Sequence, residues 1–304
     1  MRYEPSAADR APRPAGYTRE PRYLGYREAD RAQPYASYFR ERTRPVPEHV
    51  VHALVSGMAP TEHGYGVDEV ADRLARPGHE AVETGWTRLP GGGVMVSVHT
   101  PMPGATADMW DWWFGWHSRE SARYKLWHPD AHQYCALGED RGADRTLTDR
   151  QRYIGNVSYV DEYIGGRMQP LAIRFLDPEK MGIAPVTGTT HICARVGLSS
   201  RPLAFGWLVH QVRPTEDGAE MRSRFFLGDG ALLSLPARAL PPGLATRALT
   251  SAPGRTVGRV VAPRAAPRLT PATIGTDMIH HCAAEMNHLA AFLPRLHEEF
   301  QAGP

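Results

Sequence analysis

Short apolar segments, rich in β-branched and aromatic residues, alternate with polar turns through the middle of the chain. The segments lie at 93–98 (ending before Pro101), 152–164, 189–196, 203–212 and 220–227. Polar turns at 199–202 and 216–218 separate the last three segments. Strands joined by such short turns are typical of a meander, so the sequence predicts an antiparallel sheet.

Two longer helices are predicted on either side of these strands. The first begins near Thr106, whose side chain can cap it, and Asp108 stands in its first turn. The second runs from about 276 to 300, and Pro294 is expected to bend or interrupt it. Shorter helices are predicted at 50–57 and 68–74. The stretch at 235–272, rich in proline, alanine and arginine, is expected to form a long, mobile crossing.

The first helix and the residues after it carry a high density of tryptophan. Five of the seven tryptophans fall within the 18 residues from Trp110 to Trp127. An apolar stripe with helical spacing runs through Trp110, Trp113, Phe114 and His117. Such a surface is costly to expose to water, so it must line either the protein core or an apolar pocket.

Composition and charge argue against several classes of protein. The 304 residues carry a net charge of +2, and their arginines are interleaved with acids, so no strong field favours nucleic acid. The chain has no apolar run near the roughly 18 residues that span a bilayer, and residues 1–5 lack the apolar stretch expected of a signal peptide, so no membrane partner is expected. The three cysteines lie far apart without a CxxC motif, which indicates a reduced, cytoplasmic compartment.

Residues 1–47 differ from the rest of the chain. They hold ten arginines and six tyrosines with scattered prolines, and they show neither helical nor strand periodicity. We expect a partly irregular arm that packs its tyrosines against the main body. An arm that binds nucleic acid is the alternative, although such arms usually carry lysines and fewer acids.

Candidate metal ligands lie in three separate parts of the chain. His281 and Glu285 are four residues apart on the second helix, so they share one face among apolar neighbours. A carboxylate on an apolar face must be paired, protonated or bound to a metal ion. An ordinary hydrogen bond within this pair is one interpretation. The other is a zinc site of two histidines and two carboxylates, completed by Glu162 and by His128 or His132.

Several long strings of residues resemble a known family. They are 108–117 (DMWDWWFGWH), 123–129 (RYKLWHP) and 159–166 (YVDEYIGG), followed by His210, 221–225 (MRSRF) and 281–285 (HCAAE). The chain resembles the 2,4-diacetylphloroglucinol hydrolase family, which includes phloretin hydrolase as a relative. The resemblance implies an α+β, Bet v 1-like helix-grip fold, with a curved antiparallel sheet around a long C-terminal helix. It also implies an N-terminal extension at 1–70 packed on a helix-grip catalytic domain at 71–304.

The resemblance also implies a reaction and a metal. The reaction is the zinc-dependent hydrolysis of the carbon–carbon bond between an acyl group and a phenolic or polyketide-derived ring in a small aromatic ketone. The implied zinc ligands are His132, Glu162, His281 and Glu285, with His128 competing for the first position. His132 is preferred because it lies eight residues after Tyr124, which matches the family's substrate-anchoring tyrosine.

The same comparison suggests the remaining site residues. The ring carbon must be protonated before the aryl group leaves, and His210 is the expected general acid because histidine titrates near the operating pH. A satisfied core histidine is the alternative for His210, and His191 would then take the role. Tyr124, Trp113 and Phe225 are expected to bind the substrate. Phe225 stands where relatives place a second phenol-binding tyrosine, so one hydrogen bond to diacetylphloroglucinol would be missing.

Two other functions fit the same residues. A metal-dependent cyclase or tailoring enzyme of polyketide biosynthesis would polarise a carbonyl without activating water. A non-enzymatic carrier would hold a hydrophobic ligand in the same pocket, and the fold alone does not separate these functions. Metal content distinguishes an enzyme from a carrier, and water enriched in oxygen-18 distinguishes a hydrolase from a cyclase. A homodimer is one assembly that we consider.

Overall fold

A single antiparallel sheet forms the centre of the computed structural model, which describes residues 1–302. Within these residues the strands are β1 Gly85–Arg88, β2 Val94–Pro103, β3 His132–Leu137, β4 Val157–Ile164, β5 Arg167–Leu176, β6 Thr190–Leu198, β7 Leu203–Thr215 and β8 Gly218–Leu232. Their order across the sheet is β1-β2-β8-β7-β6-β5-β4-β3. Strands β3 to β8 therefore follow one another as the predicted meander, and β2 returns to pair with β8.

Helices flank the sheet and complete a mixed α+β fold. They are α1 Ala7–Arg10, α2 Glu28–Arg31, α3 Glu48–Ser56, α4 Val70–Leu74, α5 Ala107–Trp116, α6 Ser121–Trp127, α7 Asp149–Tyr153, α8 Leu244–Thr250, α9 Ala252–Leu269, α10 Ile274–Ala290 and α11 Leu293–Phe300. The predicted cap of α5 is confirmed, because Oγ1 of Thr106 accepts the backbone N–H of Met109 at 3.4 Å. No helix within residues 1–302 is both long and apolar enough to cross a membrane.

The strand predicted at 93–98 corresponds to β2, and the prediction that it ends before Pro101 is wrong. β2 continues to Pro103, and Pro101 lies opposite Glu220 of β8. The backbone N–H of His99 donates to the side chain of Thr84, on the side of β2 away from β8. Since alternate residues of a strand present their nitrogens to the same side, Pro101 also turns its nitrogen away from the β8 ladder. Proline is tolerated at such a position.

The mobile crossing expected at 235–272 is also corrected, because much of it is helical in α8 and α9. Ser251 caps α9 by accepting the N–H of Gly254 at 3.1 Å. The helix contains Pro263 and Pro267, each of which removes a helical hydrogen bond. The helix lies along β8. A Cβ atom on Gly230 would lie only 2.3 Å from the carbonyl oxygen of Ala262, so glycine permits the close approach.

The sequence also misplaced parts of the sheet. It did not predict β1, β3 or β5, and it extended one strand back to 152, where α7 ends at Tyr153. His132, for which no strand was predicted, is the first residue of β3. These segments are short or polar at one end, so their strand conformation depends on pairing with neighbours rather than on local pattern.

The C-terminal helical region consists of two helices, of which α10 lies against the sheet. α10 contacts β1, β2 and β4. Its buried face includes Met278, Ile279, Cys282, Met286 and Leu289. The predicted interruption is confirmed, since α10 ends at Ala290 and Pro294 stands in the first turn of α11.

The N-terminal arm packs its tyrosines on the main body, as predicted. Tyr17 lies 5.8 Å from Tyr134 and 5.6 Å from Tyr159 between ring centroids. The buried Asp9 accepts a hydrogen bond from Nε of Arg174 at 2.6 Å. The arm is therefore held by both aromatic and ionic contacts.

Candidate metal centre and adjoining cavity

The four predicted metal ligands meet at one place in the fold. His132 and Glu162 face each other across the ladder between β3 and β4. His281 and Glu285 lie one turn apart on α10, on the side that faces these strands. All four side chains are buried. Two strand positions and one helical turn therefore position the cluster.

The distances within the cluster fit ligands around one small ion. Nε2 of His132 lies 3.7 Å from Oε2 of Glu162 and 3.4 Å from Oε2 of Glu285. Nε2 of His281 lies 3.8 Å from Oε1 of Glu162 and 3.8 Å from Oε2 of Glu285. Tetrahedral zinc with bonds of about 2.0–2.1 Å places its ligand atoms roughly 3.4 Å apart. The observed separations are close to this value.

The orientation of His132 leaves one nitrogen available. Its Nδ1–H donates to the backbone carbonyl of Tyr124 at 2.9 Å, and the two rings stack at 3.7 Å. Nε2 is buried and has no hydrogen-bond partner among residues 1–302. A hydrogen bond at Nδ1 places the imidazole lone pair on Nε2, which is the usual arrangement for a metal-ligating histidine. A cation would satisfy this atom.

Burial determines the protonation of the cluster when no cation is present. It raises the pKa of Glu162 to about 7 and, together with the charge of Glu162, raises the pKa of Glu285 well above its ordinary value. It lowers the pKa of His281 to about 4 and that of His132 well below its usual range. A divalent cation would bind ionised carboxylates and neutral histidines, so it competes with protons for the two glutamates.

His128 lies beside the cluster rather than within it. Its Nδ1 is 2.7 Å from the hydroxyl oxygen of Thr43, and its ring centroid is 5.1 Å from that of His281. The atoms that all lie within 4.8 Å of one another belong to His132, Glu162 and His281. Glu285 is outside this group of three but adjoins it through Oε2, which lies 3.4 Å from Nε2 of His132 and 3.8 Å from Nε2 of His281. This placement favours His132 over His128 as the first ligand.

A largely apolar cavity of about 620 Å³ opens next to the cluster. Glu162, His281 and Glu285 line one part of it. The aromatic residues of its wall are Phe114, Tyr124, Trp127, Phe175, Phe205, Trp207 and Phe225. A volume of this size lies within the usual range for small-molecule sites.

Tyr124 connects the cavity to the cluster. Its hydroxyl donates a short hydrogen bond to Oε2 of Glu162. Burial, followed by the charge of Glu162, raises the pKa of Tyr124 well above its ordinary value, so the phenol keeps its proton. Tyr124 therefore both lines the cavity and orients a candidate ligand.

His210 also lines the cavity, but its protonation differs from the prediction. Its Nδ1 lies 2.7 Å from Oγ of Ser223, and Phe225 packs edge-on against its ring at 5.7 Å. Burial lowers the pKa of His210 to about 3. The expected pKa near neutrality is wrong, because the ring has no carboxylate partner in the described structure to stabilise its charge.

Two other predicted residues lie away from the cavity wall. Trp113 is fully buried and stacks on His117 at 4.7 Å, so it stands behind the wall that His117 helps to form. His191 lies opposite Gln211 in the ladder, one residue out of phase with His210. His191 therefore faces the other side of the sheet and is not an alternative to His210.

A large part of the cavity wall was not predicted from the sequence. His117 and Trp127 were treated as part of the tryptophan-rich stretch without a role of their own. The wall formed by α9 was missed because its prolines suggested an irregular crossing. Small residues recur four apart at Gly258, Ala262 and Ala266. This spacing could have predicted a helix with one face lying close to another surface.

The fold and the site together define a class, namely an α+β protein with a candidate metal centre at the edge of an apolar small-molecule cavity. Residues 67–298 match the family described as the DAPG hydrolase PhiG domain. The chain belongs to the 2,4-diacetylphloroglucinol hydrolase family. This confirms the resemblance found in the sequence, together with the prediction of a hydrolase acting on carbon–carbon bonds in ketonic substances.

Curated relatives agree with the family assignment. The chain is 31% identical to 2,4-diacetylphloroglucinol hydrolase of Pseudomonas protegens over 289 residues, covering 91% of this chain and 88% of the relative. It is 27% identical to phloretin hydrolase of Eubacterium ramulus, covering 91% of this chain and 93% of the relative. Both relatives are hydrolases by name.

Among solved structures, norcoclaurine synthase of Thalictrum flavum is similar with a TM-score of 0.28 at 12% identity, covering 51% of this chain and 79% of that one. A protein of Chromobacterium violaceum has a TM-score of 0.26 at 13% identity, covering 56% of this chain and 95% of that one.

Proposed function

We propose that this protein hydrolyses the carbon–carbon bond between an acyl group and a phenolic ring, with Zn²⁺ as its cofactor. The observation that carries the proposal is the cluster of His132, Glu162, His281 and Glu285 at the wall of an apolar cavity. The family membership supports the same reaction, since two relatives are named as hydrolases of an acylphloroglucinol and of phloretin.

The donor set suits zinc. Two imidazole nitrogens and two carboxylate oxygens are ligands that Zn²⁺ accepts in a four-coordinate site. A zinc ion held there would polarise a carbonyl group and lower the pKa of a water molecule. Two carboxylates would neutralise the charge of the ion, so we expect it to be a weaker Lewis acid than zinc bound by three histidines.

The reaction requires a proton on the ring and water on the acyl carbon. Cleavage releases the phenol, whose ring carbon has gained a proton, and a carboxylic acid, whose new oxygen comes from water. His210 is proposed to relay this proton as a neutral imidazole. If Nδ1–H donates to Oγ of Ser223, the lone pair is on Nε2, which accepts a proton from the attacking water and then passes it to the ring carbon.

The remaining residues would hold the substrate and exclude water. Tyr124 is proposed to orient a phenolic oxygen beside Glu162, and Phe225 to cover the ring near His210. The aromatic wall would keep bulk water from the reacting carbon. In such a dry site, a hydrogen bond to a developing charge is stronger than it would be in water.

The proposal is tested by incubating the protein with acylphenols in water enriched in oxygen-18. We expect a free carboxylic acid that carries one heavy oxygen, and loss of this product after zinc is removed by a chelator. Product formed without uptake of heavy oxygen would favour the cyclase or tailoring enzyme. Ligand binding without stoichiometric metal and without turnover would favour the carrier.

Further features remain proposals of the same kind. We propose a Bet v 1-like helix-grip arrangement, which the placement of α10 against the antiparallel sheet supports. We also propose the division into an extension at 1–70 and a catalytic domain at 71–304.

The three free, buried cysteines suit a cytoplasmic compartment. A homodimer stays a prediction, which size-exclusion chromatography with light scattering would test.

A further inference from the structure

The cavity is larger than a simple acetylated phenol requires. Its volume is about 620 Å³. A cavity of about 150 Å³ is enough to bind benzene. On this scale the cavity holds about four ring-sized units, which is more than one phenolic ring with short acetyl groups occupies. A substrate that fills the cavity must therefore carry a further apolar part.

The shape of the cavity indicates where the further apolar part of the substrate would lie. Both Ile274 and Glu285 line the cavity, and both lie on α10. Eleven residues of helix separate them, which corresponds to about 16 Å. The candidate ligands lie at the Glu285 end. A reacting carbonyl held there would leave the Ile274 end for a substituent.

α9 ends at Leu269, five residues before Ile274, so its last turn adjoins the Ile274 end of the cavity. α8, α9 and the last part of β8 line the cavity with Gly230, Leu249, Gly258, Ala262, Ala265, Ala266 and Leu269. Thr270 also lines this end, and its hydroxyl donates to the carbonyl of Ala266 at 2.8 Å. An apolar chain would satisfy this surface better than a hydroxylated ring, because burying an unpaired polar group is costly.

The small residues of this wall have two different explanations. Gly258 and Gly230 permit close packing, since a Cβ on Gly258 would lie 2.5 Å from Leu232 and one on Gly230 would lie 2.5 Å from Cβ of Ala266. Ala265 also lines the cavity. A larger side chain at this position would take up part of the open space.

We propose that the end of the cavity under α9 is a subsite for an extended apolar acyl chain, and that Ala265 limits the length of the chain. The substrate class is then a phenol that carries a medium or long aliphatic acyl group. This inference rests on the proposed function, because that function places the acyl carbonyl near Glu285. The inference adds to that function which part of the substrate fills the rest of the cavity, namely the aliphatic acyl chain.

The first experiment is a chain-length series. Trihydroxyphenyl ketones with acyl chains from acetyl to dodecanoyl are compared by kcat/KM. We expect an increase of about fourfold for each added methylene group until the cavity is full. A value that is flat or falls from acetyl onward would overturn the proposal.

Variants assign the effect to α9. Ala265→Leu should reduce kcat/KM by a factor that grows with chain length, so that the optimum moves to shorter chains. Ala252→Leu is the matched control, because Ala252 is exposed at the start of the same helix. It should leave the chain-length profile unchanged. Equal losses for all chains in Ala265→Leu, or the same shift in Ala252→Leu, would contradict the assignment.

Two additions keep the test decisive. Leu249→Ala should enlarge this end and move the optimum to longer chains, which applies even if Ala265→Leu fails to fold. Alkylresorcinols lack the carbonyl and cannot be hydrolysed, so their Kd, followed by tryptophan fluorescence, reports the subsite alone. Tighter binding with longer chains but no hydrolysis of any ketone would refute the proposed function and retain the subsite. Hydrolysis of the ketones, together with Kd values of alkylresorcinols that do not depend on chain length, would retain the proposed function and refute the subsite.

Discussion

Glu162 lies directly opposite His132 in the ladder between β3 and β4, with 3.7 Å between Oε2 of Glu162 and Nε2 of His132. The register shifts between His132 and Tyr134, so one extra residue lies in β3 just after the histidine. A slip of one residue would turn the histidine to the other face of the sheet. The candidate metal centre therefore depends on strand register as well as on ligand identity.

Glu285→Gln should weaken metal binding more than tenfold while the protein stays folded. The amide has a similar shape but is a poor zinc ligand, and Glu285 lies within 3.8 Å of both histidines. Metal content after dialysis against buffered zinc is the measurement. Glu298→Gln, an exposed change on α11, is the control and should keep full occupancy. A Glu285→Gln protein with full occupancy would remove Glu285 from the ligand set.

His210→Asn should retain zinc and lower turnover by about 10²–10⁴-fold, the usual contribution of a general acid or base. Because burial lowers the pKa of His210 to about 3, the ring is neutral from pH 5 upward. The turnover of the parent between pH 6 and pH 8 should therefore show no dependence on pH that comes from His210. If the parent loses turnover over this range and His210→Asn does not, His210 carries a second proton before the reaction begins, and the proposed protonation state is wrong.

Tyr124→Phe should lower kcat/KM by up to about 100-fold if an ionised substrate phenol takes over the hydrogen bond that the Tyr124 hydroxyl donates to Glu162, because a hydrogen bond to a charged group contributes about 1.5–3 kcal/mol. The variant keeps the ring that stacks on His132 and the backbone carbonyl that His132 donates to. Metal affinity should therefore change less than kcat/KM. Parallel losses in both measurements would mean that Tyr124 acts by orienting Glu162 rather than by holding the substrate.

Phe225→Tyr should shift the preference toward rings with more hydroxyl groups. Phe225 lines the cavity beside His210, and the new hydroxyl would offer a hydrogen bond on a wall that is otherwise apolar. The test compares kcat/KM for mono-, di- and trihydroxylated acylbenzenes. Phe300→Tyr on α11 is the control and should leave selectivity as in the parent. Selectivity unchanged in Phe225→Tyr would show that residue 225 does not face the ring.

Glu83→Gln should lower the free energy of unfolding at pH 7 by about 3 kcal/mol, because it leaves Arg222 and Arg224 buried without their carboxylate. Glu80→Gln is the control, since Glu80 lies 3.6 Å from Arg73 in a more exposed pair and should cost less than about 1 kcal/mol. Denaturant unfolding measures both. Equal effects of the two changes would contradict a special role for Glu83.

The same group predicts a dependence on pH. Burial would raise the pKa of Glu83, but hydrogen bonds from Arg222 and the charge of Arg224 outweigh it and hold the pKa at about 2. The folded pKa lies below the unfolded one, so this contribution is complete above the unfolded pKa and is lost as pH falls toward 2. Between the unfolded pKa of a glutamate and pH 2, the free energy of unfolding of the parent should fall more steeply than that of Glu83→Gln, as measured by denaturant unfolding at each pH.

Local chemistry was predictable from the sequence alone. The polar turns predicted the meander, Thr106 predicted the start of α5, and Pro294 predicted the break between the last two helices. The spacing of His281 and Glu285 predicted their shared face, because a helical period of 3.6 places residues four apart side by side. The family resemblance supplied the remaining ligands without their geometry.

Tertiary structure decided the features that depend on distant segments. Strand register brought His132 rather than His128 into the cluster, and the proline-containing stretch at 252–269 lies along β8 as the helix α9. Burial on the inner face of the sheet lowered the pKa of His210 away from neutrality. Periodicity and capping act between residues a few positions apart, so the sequence displays them directly. Register, burial and cavity shape arise between segments that only the folded chain brings together.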